Sequence, residues 1–109
     1  MKIEKEKNVL YINGKKVVFD SNIDTILEFS NYCIVLLMND DIPDNNVEAI
    51  DYDGNRVWNI SSLIIFPYSE SYISISKITE NLFSTITYSG VKFVIDTETR
   101  EIIEKGITK

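Results

Sequence analysis

None of the 109 residues of this chain is histidine. That removes Ser-His-Asp and Cys-His nucleophilic catalysis, histidine metal sites and the commonest general base. The single cysteine, Cys33, cannot build a thiolate metal site by itself. Carboxylates, lysines and hydroxyls remain, and three local patterns test them. Ser74-Ile75-Ser76-Lys77 has the S-x-x-K spacing of serine acyl-enzymes, a motif that needs a helix to bring serine and lysine together. Here the segment alternates as a strand, which sends positions i and i+3 to opposite faces. Asp51-Tyr52-Asp53-Gly54 has the opening of a calcium loop, but the third ligand before glycine is missing. Ile60 stands where the bidentate glutamate belongs, so the segment reads as a turn. Asn59-Ile60-Ser61 is a glycosylation sequon, idle in a cytoplasmic protein. The chain is therefore expected to be no enzyme, with no catalytic residue, cofactor or metal.

Binding is the alternative, and two groups of residues suit it. Asp40, Asp41 and Asp44 lie in the acidic loop 39–46, where Pro43 blocks a central strand. Such a loop is a solvated turn or an anionic finger for a basic cleft. Tyr68, Glu70 and Tyr72 form the second candidate patch, because tyrosine supplies large contact area with a hydrogen-bonding tip. The net charge of −6, from 17 acidic and 11 basic residues, favours a basic partner and faster encounter with it. No Lys/Arg cluster is present, so direct nucleic-acid binding is not expected.

These residues must be held by β structure. Alanine occurs once, at Ala49, while Ile, Val, Tyr, Phe and Thr abound. Val9–Ile12 and Lys16–Phe19 flank Asn13-Gly14, the strongest short hairpin signal. Ile23–Phe29 has helical spacing with candidate caps, yet the β run that follows it favours a strand. The apolar run 33–38 is next. Val47–Asp51 and Arg56–Ile60 flank the Tyr52-Asp53-Gly54-Asn55 turn. Tyr72–Thr79 alternates strictly, and Leu82–Tyr88, Val91–Ile95 and Arg100–Ile107 complete a meander. Trp58 is expected in the core, and Cys33 as a buried small hydrophobe. A lone thiol fits a reducing compartment, no apolar run reaches membrane-spanning length, and residues 1–7 do not read as a signal peptide. One cytoplasmic domain over 1–109 is the expectation. Residues 47–58 can be laid on 92–103, each a strand ending in Ile-Asp, a polar turn and an apolar strand. A repeat near this spacing is that of propeller blades. The expected fold is an all-β antiparallel meander of about 8 strands, propeller-blade-like, curled into a small sandwich or partial barrel.

Asn46-Val47-Glu48-Ala49-Ile50-Asp51-Tyr52-Asp53-Gly54, followed by Trp58 and Ile60 and later by Gly90 and Asp96, resembles a group of short bacterial proteins with the order N-V-x-A-x-D-x-D-G-x-x-x-W-x-I. The D-x-D-G-x-x-x-W segment also resembles blades of quinoprotein-like propellers. Small acidic chains of this kind are similar to immunity proteins of contact-dependent and other polymorphic toxin systems. The resemblance implies binding to a cognate toxin domain, often a nuclease, and occlusion of its active site. It transfers no individual binding residue. A non-catalytic β binding module, or a subunit of a larger assembly using an exposed sheet edge, is the other reading.

Overall fold

Asn13 and Gly14 both hold positive φ, 48° and 81°. Two such residues in succession give the type I′ turn that matches the twist of the flanking strands. The hairpin they close pairs β2 (Val9–Ile12) with β3 (Lys15–Val18), and β1 (Ile3–Glu6) lies on the other side of β2. The computed structural model describes residues 2–38, 44–65 and 70–107. Among these residues, eleven strands form three antiparallel sheets. The second contains β4 (Ile23–Glu28), β5 (Tyr32–Leu37), β6 (Val47–Asp51) and β7 (Arg56–Asn59) in chain order. The third contains β8 (Tyr72–Thr79), β9 (Leu82–Thr87), β10 (Val91–Asp96) and β11 (Ile102–Ile107). A 3-10 turn, Ile60–Ser62, follows β7.

The fold is all-β, as expected, and Ile23–Phe29 is a strand over most of its length. The single meander of about 8 strands is corrected to eleven strands in three sheets, and no closed barrel forms among the described residues. The reason lies in β5, buried along its whole length. A strand covered on both faces reads as an unbroken apolar run, and Cys33–Leu37 is one because the second sheet is the middle layer. Cys33, Val35 and Leu37 join Leu10, Ile12, Val17, Phe19 and Ile50 in the core against the first sheet. Ile34 and Leu36 join Val47, Ala49, Trp58, Phe83, Phe93 and Ile95 in the core against the third. The strict alternation expected for Tyr72–Thr79 is broken by two register shifts. They turn Tyr72 and Ile75 inward and leave Ile73 and Ile78 exposed.

The two halves of the repeat share a hairpin opened by an aspartate cap, but the second turn is one residue longer, and Trp58 is buried where its counterpart Ile103 is exposed. Asp51 ends β6 and accepts the amides of Asp53 and Asn55 on Oδ1; Asp96 ends β10 and accepts those of Glu98 and Thr99. These amide bonds favour the ionised form and hold both carboxyls below the ordinary carboxylate range, led by Asn55 N–H for Asp51 and Thr99 N–H for Asp96. The D-x-D-G segment is thus a turn, with Gly54 at φ 86°.

Cys33 is fully buried, and burial pushes its thiol up to about 12. A thiol that ionises so rarely near neutrality is a poor nucleophile. In the native protein at pH 8, Cys33 is expected to stay unmodified by a small disulfide reagent over hours and to react stoichiometrically in urea. Prompt stoichiometric reaction of the native protein would contradict its placement.

Candidate functional site

A concavity opens where the first and second sheets meet the segment before β6. It is about 340 Å³, lined by Val18, Phe19, Asp20, Leu37, Asp44, Asn45, Asn46, Glu48, Arg56 and Asn59. Arg56, on β7, holds the two sheets in register there. Its Nη1 donates to both oxygens of Glu48 at 3.0 and 3.1 Å, and its Nη2 donates to the Val18 carbonyl at 2.8 Å. The guanidinium carbon lies 4.8 Å from the centre of the Phe19 ring. The Arg56 side chain is 47% exposed, so the ion pair adds little stability, but Nη1 on both Glu48 oxygens and Nη2 on the Val18 carbonyl fix its geometry.

The wall carrying Asp44 is tied down from three directions. Asn45 adopts φ 64°, donates its amide to the Glu70 carbonyl at 2.9 Å and accepts Asn59 Nδ2 at 3.0 Å. Asn46, 2% exposed, donates Nδ2 to the carbonyls of Leu37 at 2.8 Å and Tyr72 at 2.9 Å, and accepts the Tyr72 amide at 2.7 Å. Asp44 itself is exposed and accepts Ser71 Oγ at 2.8 Å. Glu48 is engaged by Arg56, whereas Asp20 and Asp44 form no ion pair with another described residue. Three carboxylates against one guanidinium give the cleft a negative potential. It can receive a guanidinium or ammonium group.

Of the residues singled out in the sequence, Asp44 lies in this cleft. Asp40, Asp41 and Tyr68 fall outside the described residues. Glu70 and Tyr72 are corrected: at 7% and 1% exposure they offer a partner no contact area. Glu70 Oε1 accepts the Ser89 amide at 3.0 Å and is also bonded by the Ser89 hydroxyl, bracing the β9–β10 turn. Tyr72 starts β8 with its ring in the core, where burial and then the Glu70 charge push its hydroxyl up to about 12. Sequence reasoning missed Asp20, Glu48 and Arg56. The signal available was Glu48 and Arg56 on adjoining strands of a hairpin with opposite charges.

Ser74 and Lys77 stand on strand β8, not on a helix. No group of three or more candidate metal ligands occurs among the described residues. No helix among them is long and apolar enough to cross a membrane. A family described as a domain of unknown function (DUF7957) matches residues 1–107. No curated protein and no solved structure matches the chain.

Proposed function

We propose, for a chain that belongs to the DUF7957 family, that it is an immunity protein: it binds a cognate toxin domain with a basic surface and neutralises it by occlusion. The observation that carries this reading is the acidic cleft, in which Asp20 and Asp44 are exposed and free of ion pairs with other described residues. A nuclease domain gathers Lys and Arg to hold phosphates, and a rigid carboxylate-lined cleft is complementary to one such side chain. The net charge of −6 steers the encounter. Blocking requires no chemistry from the inhibitor. This agrees with a chain without histidine whose one thiol is buried. The cytoplasm, where the toxin acts, is the proposed location.

The test is growth rescue. The C-terminal domain encoded by the reading frame immediately upstream is induced in a neutral host, with and without this protein. Rescue is expected with the native chain. Asp20→Lys with Asp44→Lys is expected to weaken binding to the purified domain by at least about tenfold at low salt and by less at high salt. Both positions are exposed, so the fold should persist in the variant. No rescue by the native chain rejects the immunity reading. Rescue and affinity unaffected by the double reversal would move the interface away from the cleft. The second reading, a subunit of a larger assembly, draws on the exposed edge strand β11, where Ile102, Ile103 and Ile107 are 42%, 58% and 80% exposed.

A further inference from the structure

The three sheets stack with one polarity. Ala49 packs toward the third sheet, and its counterpart in the 47–58/92–103 repeat, Val94, lies outside both buried clusters. Ile50 packs toward the first sheet, and its counterpart Ile95 packs toward the second. The third sheet therefore turns outward the side that the second sheet turns toward it. The path is polar too: the chain leaves the last strand of each sheet, β3 or β7, and enters the first strand of the next, β4 or β8. Backbone contact between the second and third sheets is concentrated at β4, β5 and β8, so these sheets converge at their first strands as blades do.

This order leaves two unlike ends. On the outward side of the third sheet, Val94 pairs with Ser84 and Glu104, and Lys92 pairs with Ile86 in the next row. On the outward side of the first sheet, Tyr11 and Val18 are 38% and 52% exposed; the Tyr11 row runs from Lys16 on β3 to Glu4 on β1, which Lys2 pairs at 3.4 Å, and the Val18 row runs through Val9 to Glu6. By the repeat, the third sheet's outward side is the one that another sheet covers in the second. The matching surface is the outward side of a sheet that begins such a stack. It must also offer acid opposite Lys92; Glu6 does so free of any ion pair with another described residue, and Glu4 does so beside Lys2.

We propose that a second copy of this chain provides that surface: two copies join head to tail, first sheet on third sheet, twice over. Closing the pair buries both ends of both copies, twice what an open end-to-end contact buries. It also gives six sheets, within the roughly 4–8 at which radial stacks of sheets close. The cleft lies where the first and second sheets meet inside one copy, and of the residues named for the contact only Val18 also borders it, so Lys92→Glu on the third sheet tests dimerisation apart from the toxin-binding reading.

Sedimentation velocity of the purified full chain across a concentration series tests it. A monomer–dimer equilibrium is expected in the native protein. Val18→Lys on the first sheet and Lys92→Glu on the third should each raise the dimer dissociation constant by about tenfold, with thermal unfolding of the monomer little changed. Adding Glu4→Lys and Glu6→Lys to the Lys92→Glu chain should recover dimerisation. A two-fold contact between identical surfaces would not respond to both faces in this way. A chain that stays monomeric, or a dimer indifferent to both Val18→Lys and Lys92→Glu, overturns the proposal.

Discussion

Replacing Asn46 with alanine is expected to cost about 3 kcal/mol of folding stability, read as a drop in the free energy of urea unfolding. The side chain is 2% exposed and joins two sheets, bonding Leu37 in the second and both backbone groups of Tyr72 in the third. Truncation leaves two carbonyls and one amide buried without these partners, and each such group costs about 1–3 kcal/mol, less where water enters the space. Domains of this size have about 5–15 kcal/mol in all, so the variant should also melt roughly 15 °C lower. Asn46→Asp discriminates the cause. It keeps the shape and the bond from the Tyr72 amide, but sets a carboxylate against the carbonyls of Leu37 and Tyr72. It should destabilise the protein at least as much as alanine at pH 7. An aspartate variant close to native stability would mean the three bonds do not hold the seam.

Asn46 also shows what was legible in the sequence. It opens the N-V-x-A-x-D-x-D-G-x-x-x-W-x-I pattern, and every named position there but Asp53, which contributes its backbone amide to the turn, has a side-chain or conformational task in the protein. Asn46 ties two sheets, Asp51 and Gly54 shape the turn, and Val47, Ala49, Trp58 and Ile60 are core. Hairpins were legible because their turns need particular residues, as at Asn13-Gly14 and Gly54. The layering was harder to read. That β5 is buried on both faces follows from its unbroken apolar run, but the sheets that cover it are set by contacts far apart in sequence. β1 was missed because its four residues carry three charges and one partly buried side chain, Ile3. Its pairing comes from β2, not from its own propensity. The cleft was nearly invisible for the same reason. Asp20, Glu48 and Arg56 each look like an ordinary polar residue, and only the stacking of the first sheet on the second brings Asp20 to the Glu48–Arg56 pair. Glu70 and Tyr72 failed in the opposite sense. Composition gave them the look of a contact patch, while Ser89 binds one Glu70 oxygen and Asn46 holds the Tyr72 backbone so that its ring enters the core.

Trp58→Ala is expected to have the largest effect of any single substitution outside the cleft, about 3–5 kcal/mol. The indole is 6% exposed and sits where the second and third sheets meet. It stacks on Phe83 across the layers, with centroids 6.0 Å apart and planes at 17°, and takes the Tyr32 ring edge-on at 5.9 Å and 87°. Phe83 in turn meets Phe29 at 6.4 Å. Removing the indole opens a cavity between two sheets whose backbones cannot close over it, because Asn46 and the β4–β8 approach fix their spacing. The cost then includes the lost transfer energy and the residual void. A double-mutant cycle with Phe83→Ala separates the packing of the pair from general burial: a coupling of about 0.5–1.5 kcal/mol is expected for rings in direct contact. Because Trp58 is the only tryptophan in the chain, its fluorescence provides a second readout. In the native protein the emission should be blue-shifted and should move to the red in one step with urea, coincident with the loss of β signal in circular dichroism. Red-shifted emission from the folded state, or additive Trp58 and Phe83 costs, would show that the two rings do not join the sheets.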